Sequence, residues 1–230
     1  KEIEGVPVVE VSMTQQRGDT ADKTIIIPEG VKIIGKFQNI AITSIDIPTT
    51  LKVIRNSAFY GAKIKGDFVV HSSVMLGTGL FERAEIQRIV WPFGSVPAGT
   101  FKDAVGLTNV TLSEAVKVIR RSAFEVSVNW NGTAASVKGA GALESVTFPQ
   151  AISEMEERAF RGNMKLATVS GLESCKRFEH SGSENSDNTG DANSTSNSSK
   201  VSEGEQFEYC SALPIATENK LRSIGYTDTF

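Results

Sequence analysis

Short apolar runs with every second residue polar alternate along the chain with small arches, and the alternation returns at a fixed interval. Ile42–Pro48 reads ITSIDIP, Ile86–Pro92 IQRIVWP, Leu107–Leu112 LTNVTL and Leu143–Pro149 LESVTFP. Each begins on an apolar residue, and the apolar positions that follow have a period of two, as in a short strand with one face buried. Proline has no N–H to donate, so a proline straight after the strand closes the ladder there. A second apolar set comes next and ends on a small residue and Phe: LKVIRNSAF (Leu51–Phe59), VKVIRRSAF (Val116–Phe124) and ISEMEERAF (Ile152–Phe160).

Two landmarks fix the interval. The phenylalanines are Phe37, Phe59, Phe81, Phe101, Phe124, Phe160, Phe207 and Phe230, and the apolar starters are Ile42, Ile64, Ile86, Leu107, Leu143, Leu166 and Leu213. Starter and Phe are 17 residues apart in five units (42→59, 64→81, 107→124, 143→160, 213→230) and 15 in one (86→101). One such unit buries too little by itself, whereas stacked units share a continuous Ile, Val and Phe interior. The pattern predicts a solenoid of about eight repeats over 24–230, with residues 1–23 as an N-terminal cap and insertions near 126–141 and 176–199. The second insertion contains HSGSENSDNTGDANSTSNSSK, a composition too polar to pack, so it is expected to be mobile and dispensable for folding.

The unit resembles the BspA-type leucine-rich repeat. IDIPTTLKVIRNSAFYGA and LESVTFPQAISEMEERAFRGN carry its strand, proline and Ala-Phe, and FEYCSAL (Phe207–Leu213) carries its Phe-x-x-Cys-x-x-Leu. IKGDFVVHSSVMLGTGLF lacks the proline and LPIATENKLRSIGYTDTF lacks the Ile-Pro, which puts the strand length at those turns in question. The resemblance implies a leucine-rich-repeat-like right-handed stack of short parallel β-strands with irregular or short helical returns, mainly β. It also implies a secreted or cell-surface protein, of a kind found in bacteria and some protists, engaged in adhesion and protein binding.

Composition adds limits. With 24 basic and 27 acidic residues interspersed, the net charge of -3 offers no electrostatic footprint for nucleic acid. No apolar run reaches membrane-spanning length, and a signal segment is expected to have been removed from KEIEGVPVVEVS. Cys175 and Cys210 are expected as two buried small side chains, with a single disulfide as the other possibility. His71 and His180 stand far apart and lack ligand spacing to Cys, Asp or Glu, so no metal and no cofactor is expected. No nucleophile–base constellation and no phosphate-binding glycine loop occurs, which gives no catalytic residue; KGAGALES reads as a loop and Glu156-Glu157 as a solvated turn. Asn109, Asn131, Asn193 and Asn197 head glycosylation sequons.

What remains is surface. The outward strand positions of successive units line up in rows, and solenoids use such extended faces for binding. Asp46, Arg88, Asn109 and Glu144 are the candidate row residues, and Trp130, in an insertion, is a candidate aromatic anchor. Pinning of its own loop by Trp130 is the plainer role. The expected partner is a protein or a glycan, host extracellular material included. A structural spacer without a ligand is the alternative, and the oligomeric state stays open.

Overall fold

The computed structural model describes residues 2–3, 6–7, 9–14, 21–66, 68–86, 88–130, 135–137, 143–175, 177–178, 205–208, 210–224, 226 and 230. It is a parallel β-solenoid in which each turn contributes to three stacked ladders. The first strip runs through Lys23–Ile26, Ala41–Asp46, Lys63–Ile64 and Glu85–Ile86, then through Arg88–Trp91, Asn109–Leu112, Ser145–Thr147 and Thr168–Ser170. The second joins Glu10–Thr14, Ile33–Gln38, Val53–Ile54 and Met75–Leu76, and separately Ser95–Val96, Val118–Ile119, Glu154–Met155 and Arg177–Phe178.

The third ladder is the arch around each landmark Phe, and it runs through the whole stack. Phe37 N–H donates to Ala58 O, Phe59 to Leu80, Phe81 to Thr100, Phe101 to Ala123, Phe124 to Ala159 and Phe160 to Gln206, at 2.6–2.9 Å. Inside the arch the rings pile face to face from Phe37 through Phe59, Phe81, Phe101, Phe124 and Phe160 to Phe207, with centroids 4.9–5.8 Å apart. That spacing is close to the 4.7–4.9 Å between paired strands, so one period serves both backbone and rings. The arch is sharp because backbone on both sides of the Phe turns left-handed. Two residues before it, Ser57, Gly79, Gly99, Ser122, Arg158 and Glu205 have φ of 47–62°; two after it, Asn39, Gly61, Arg83, Asp103 and Gly162 have φ of 55–78°. The residue between is small or fully enclosed, as Ala58, Ala123 and Ala159 are.

Both strand strips falter where the units depart from the pattern. The unit without its proline keeps only Lys63–Ile64 as strand in the first strip. In the second strip the residue four before the Phe donates to the previous turn: Arg55 to Ile34, Gly77 to Ile54, Arg120 to Val96, Glu156 to Ile119. Pro97 holds that position in the unit shortened to 15 residues and has no proton to give, so Met75–Leu76 and Ser95–Val96 do not pair. Extra aromatics fill the core here. Phe68 sets its edge against both Phe59 and Phe81 at 4.9 Å, and Trp91 does so against Phe101 at 5.5 Å, its Nε1 donating to Ser95 O.

The last interval, Leu213 to Phe230, keeps the spacing of a unit without its conformation. Ile215–Ser223 is an α-helix, and Tyr226 rather than Phe230 closes the ring column, edge-on to Phe207 at 5.6 Å. Pro214 pre-sets the entry of this helix, and Ala216, Glu218, Lys220, Leu221 and Arg222 favour it. Thr217, Leu221 and Ile224 meet Val169 and Leu172 across a void of about 10 Å³. No helix among the described residues is long and apolar enough to cross a membrane. The insertion after Phe124 begins as a hairpin, Val128–Trp130 antiparallel to Ala135–Val137, and its foot is tied by Ser127, whose N–H and Oγ both donate to the Asp103 carboxylate. The Ser/Asn-rich insertion lies outside the described residues for 179–204.

At the strip corner, Glu29 accepts N–H donation from Thr49 and Thr50 of the next turn. Those bonds, Thr49 N–H above all, hold the Glu29 carboxyl below its ordinary value of 4.5. A depressed folded value means that the contribution is complete above 4.5 and is lost as pH falls through the folded value. Glu29→Gln is therefore expected to have a shallower decline of melting temperature on acidification than the parent, measured by thermal unfolding at neutral pH and well below 4.5. Parallel declines would remove Glu29 from the acid response.

Candidate interaction surfaces

The first strip presents its outward residues in register. Arg88 lies beside Asn109, Asn109 beside Ser145 and Ser145 beside Thr168; Val90, Thr111, Thr147 and Ser170 form the next row. Asn109 is exposed, its Nδ2 donates to Thr108 Oγ1, and its Oδ1 accepts from Ser145 Oγ. Ser170 Oγ donates to Thr147 Oγ1 at 3.3 Å. Glu144 is exposed one residue before the Asn109–Ser145 row, its N–H donating to Thr108 O. Asp46 stands apart from these, at the end of Ala41–Asp46, opposite Ile26 in the other segment of the strip. The side chains of Arg88, Val90 and Trp130 lie outside the described residues, and these three are placed by strand register alone.

Elsewhere charges are neutralised across turns, beside the Phe arches. Lys102 and Arg161 both reach Glu125, Arg161 also reaches Glu205 and Glu208, and Arg158 reaches Glu157 and Glu205. Burial works against the Arg161 charge, yet Glu208, Glu205 and Glu125 outweigh it and hold the guanidinium protonated more firmly than usual. Glu156 and Glu157 are thus not a solvated turn: they pair with Arg120 and Arg121 of the preceding turn, and Glu157 is buried. Cys175 and Cys210 are both buried thiols, and burial pushes Cys210 up to about 12, outside nucleophile range. Among the described residues no group of three His, Cys, Asp or Glu could hold a metal ion. His71 Nδ1 bonds to Ser73 Oγ, and His180 lies outside the described residues.

Sequence reasoning passed over a groove of about 480 Å³ on the second strip. Glu10, Ser12, Gly35, Lys36, Arg55, Asn56 and Gly77 border it above Val53, Ile54, Met75 and Leu76. The Arg55 guanidinium donates twice to Glu10, from Nε and from a terminal nitrogen at 2.9 Å each, which lowers Glu10 below the usual carboxylate range. The signal was present in aligned second strands, KIIGK at Lys32–Lys36 and KVIRN at Lys52–Asn56, each opening on Lys.

The sequence profile of the BspA type leucine-rich repeat region matches residues 19–131 and 135–228 in six copies. The chain belongs to this family. Leucine-rich-repeat proteins are generally non-catalytic binding modules, and the BspA-type family points to protein interaction. Among solved structures, a leucine-rich repeat protein from Bacteroides ovatus is 22% identical over 67% of this chain and 44% of its own, with a TM-score of 0.49. A leucine-rich repeat protein of T. pallidum is 19% identical, covering 100% of this chain and 82% of its own, with a TM-score of 0.48. A leucine-rich cell surface protein from Faecalibacterium prausnitzii is 15% identical over 90% and 63% of the two chains, with a TM-score of 0.33. The BspA-type chain therefore spans less than half the length of the first of these. No curated protein sequence matches it.

Proposed function

We propose that this BspA-type protein is a secreted or cell-surface binding module of the adhesion type, contacting a protein or glycan partner. Its family is typically cell-surface or secreted, which supports that location. In this reading residues 1–23 cover the open end of the stack and 24–230 form the binding solenoid. The observation that carries it is the set of in-register outward rows, Arg88–Asn109–Ser145 foremost, on which a partner crossing several turns gains many small contacts. Asp46 and Glu144 extend the same face, and the Trp130 hairpin stands at one side of it as an anchor.

One observation favours a spacer instead. The described outward residues of the first strip, from Thr43 and Ser44 to Thr168 and Ser170, include no aromatic side chain, and several satisfy one another. A pull-down from extracellular-matrix and mucin components separates the two readings. Arg88→Glu and Trp130→Ala are each expected to weaken retention of the partner without lowering the melting temperature. Unchanged affinity in both removes this face and this hairpin, and absence of any retained component supports the spacer.

A further inference from the structure

The groove on the second strip brings exposed lysines without an acidic partner next to an apolar floor. Lys63 and Lys65 of the first strip pair with Glu85 and Asp22, and the cations at the later arches meet Glu125, Glu156, Glu157, Glu205 and Glu208. Around the groove, Arg55 takes the carboxylate of Glu10. Lys32, Lys36 and Lys52 are exposed and make no side-chain hydrogen bond or ion pair among the described residues. Lys32 and Lys52 are neighbours on adjacent turns, since Lys52 N–H donates to Lys32 O at 2.8 Å and Ile33 pairs with Val53. Of the three, Lys36 borders the groove itself, and Lys52 directly precedes its lining residue Val53.

The floor has a different character. Val53 and Leu76 are half-buried, and Met75 is 66% exposed on the last strand before the Pro97 interruption. Thioether side chains suit adaptable apolar contacts. The concavity also depends on a bare backbone at Gly35. A Cβ there would come within 2.1 Å of Ser12 Oγ and 2.8 Å of Glu10 Oε1, so any side chain would drive out the Glu10 and Ser12 border.

We propose that this groove holds an extended acidic segment of a partner protein, its carboxylates on Lys32, Lys36 and Lys52 and its alternate apolar side chains on Val53, Met75 and Leu76. An extended chain points successive side chains to opposite sides. That period lets acids meet the lysines while apolar groups cover Met75, which a uniformly charged polymer would leave in water. The volume falls within the roughly 300–1,000 Å³ of small ligand sites, enough for a short stretch of such a chain. The inference rests on the protein-binding reading and moves the contact from the first strip to the second.

The test uses a fluorescein-labelled ten-residue peptide alternating Glu and Leu, its analogue with Gln for Glu, and a heparin fragment, each titrated by fluorescence polarisation or competition against the full chain. The Glu peptide is expected to bind and the Gln analogue not to, with affinity falling as salt rises. Lys36→Glu/Lys52→Glu is expected to weaken the Glu peptide by about tenfold or more. Lys117→Glu/Lys165→Glu, with the same change of net charge on exposed lysines elsewhere, is expected to leave it within about twofold. Met75→Asp should weaken the peptide while leaving the melting temperature in place. Equal losses in both lysine pairs, or heparin outcompeting the peptide with no effect of Met75→Asp, overturn the proposal. A natural protein partner whose binding ignores the groove variants but fails with Arg88→Glu also overturns it while sustaining the protein-binding reading.

Discussion

Phe124→Ala is expected to lower the stability of the solenoid by about 3–5 kcal/mol, the range for emptying a well-packed aromatic site. The ring is buried and sandwiched between Phe101 at 5.1 Å and Phe160 at 4.9 Å, so its loss leaves two faces without a partner. Collapse around the hole is restrained, because the arch on each side is pinned by the hydrogen bonds Phe101 N–H to Ala123 O and Phe124 N–H to Ala159 O. Phe59→Ala, between Phe37 and Phe81 with Phe68 edge-on, should fall in the same range. Chemical denaturation with the slope held common measures both. A loss below about 1 kcal/mol would mean that the ring column does not hold the stack together, against the usual cost of such cavities.

Gly162→Asn should be the most damaging of the surface-arch substitutions, at about 2–5 kcal/mol, combining overpacking against backbone with left-handed strain. The left-handed backbone alone does not explain this. Asn39 occupies the equivalent place, two residues after its Phe, with φ of 56°, and Arg83 and Asp103 do the same. What differs is the neighbour. A Cβ at Gly162 would lie 2.3 Å from the carbonyl oxygen of Val126, where the preceding turn leaves the arch to begin the inserted hairpin. The Val126 N–H donates to Arg161 O at 2.8 Å, so that backbone cannot retreat without losing a bond. The reciprocal change Asn39→Gly should be mild, and thermal unfolding of the pair checks the contrast. Similar midpoints for Gly162→Asn and the parent would show that the hairpin foot yields.

The stacking direction was readable from the chain because it is written in side chains that recur. Phe37 to Phe207 occupy the column their spacing implies, and Trp91, at a strand position with apolar period, is 2% exposed. Leu213 and Phe230 show the limit of spacing. Their interval of 17 matches a unit, but Pro214 and the residues after it favour helix, and Tyr226 ends the column. Partnerships between turns were hidden for a different reason. Glu156 and Glu157 look like solvated neighbours within their own unit, and only the fold places Arg120 and Arg121, 36 residues earlier, alongside them. The groove escaped for the same cause, since Glu10 and Arg55 are 45 residues apart in sequence. The outward rows could be named in advance, because alternation assigns each residue a side; what they touch could not.

Pro97 carries a consequence for cooperativity. In a stack of repeats, stability spreads by coupling between neighbours, and the weakest coupling decides how far an opening travels. Between most neighbouring turns both strips and the arch ladder join the layers, whereas at Pro97 the second strip contributes nothing and the layers are held by the short first-strip pairing of Lys63–Ile64 with Glu85–Ile86 and by the arch bonds Gly79 to Ala98, Phe81 to Thr100 and Arg83 to Lys102. Fraying that begins at either end has its stopping place at this junction. The molecule is then a chain of two protected blocks, with the lysine-flanked groove wholly within the first.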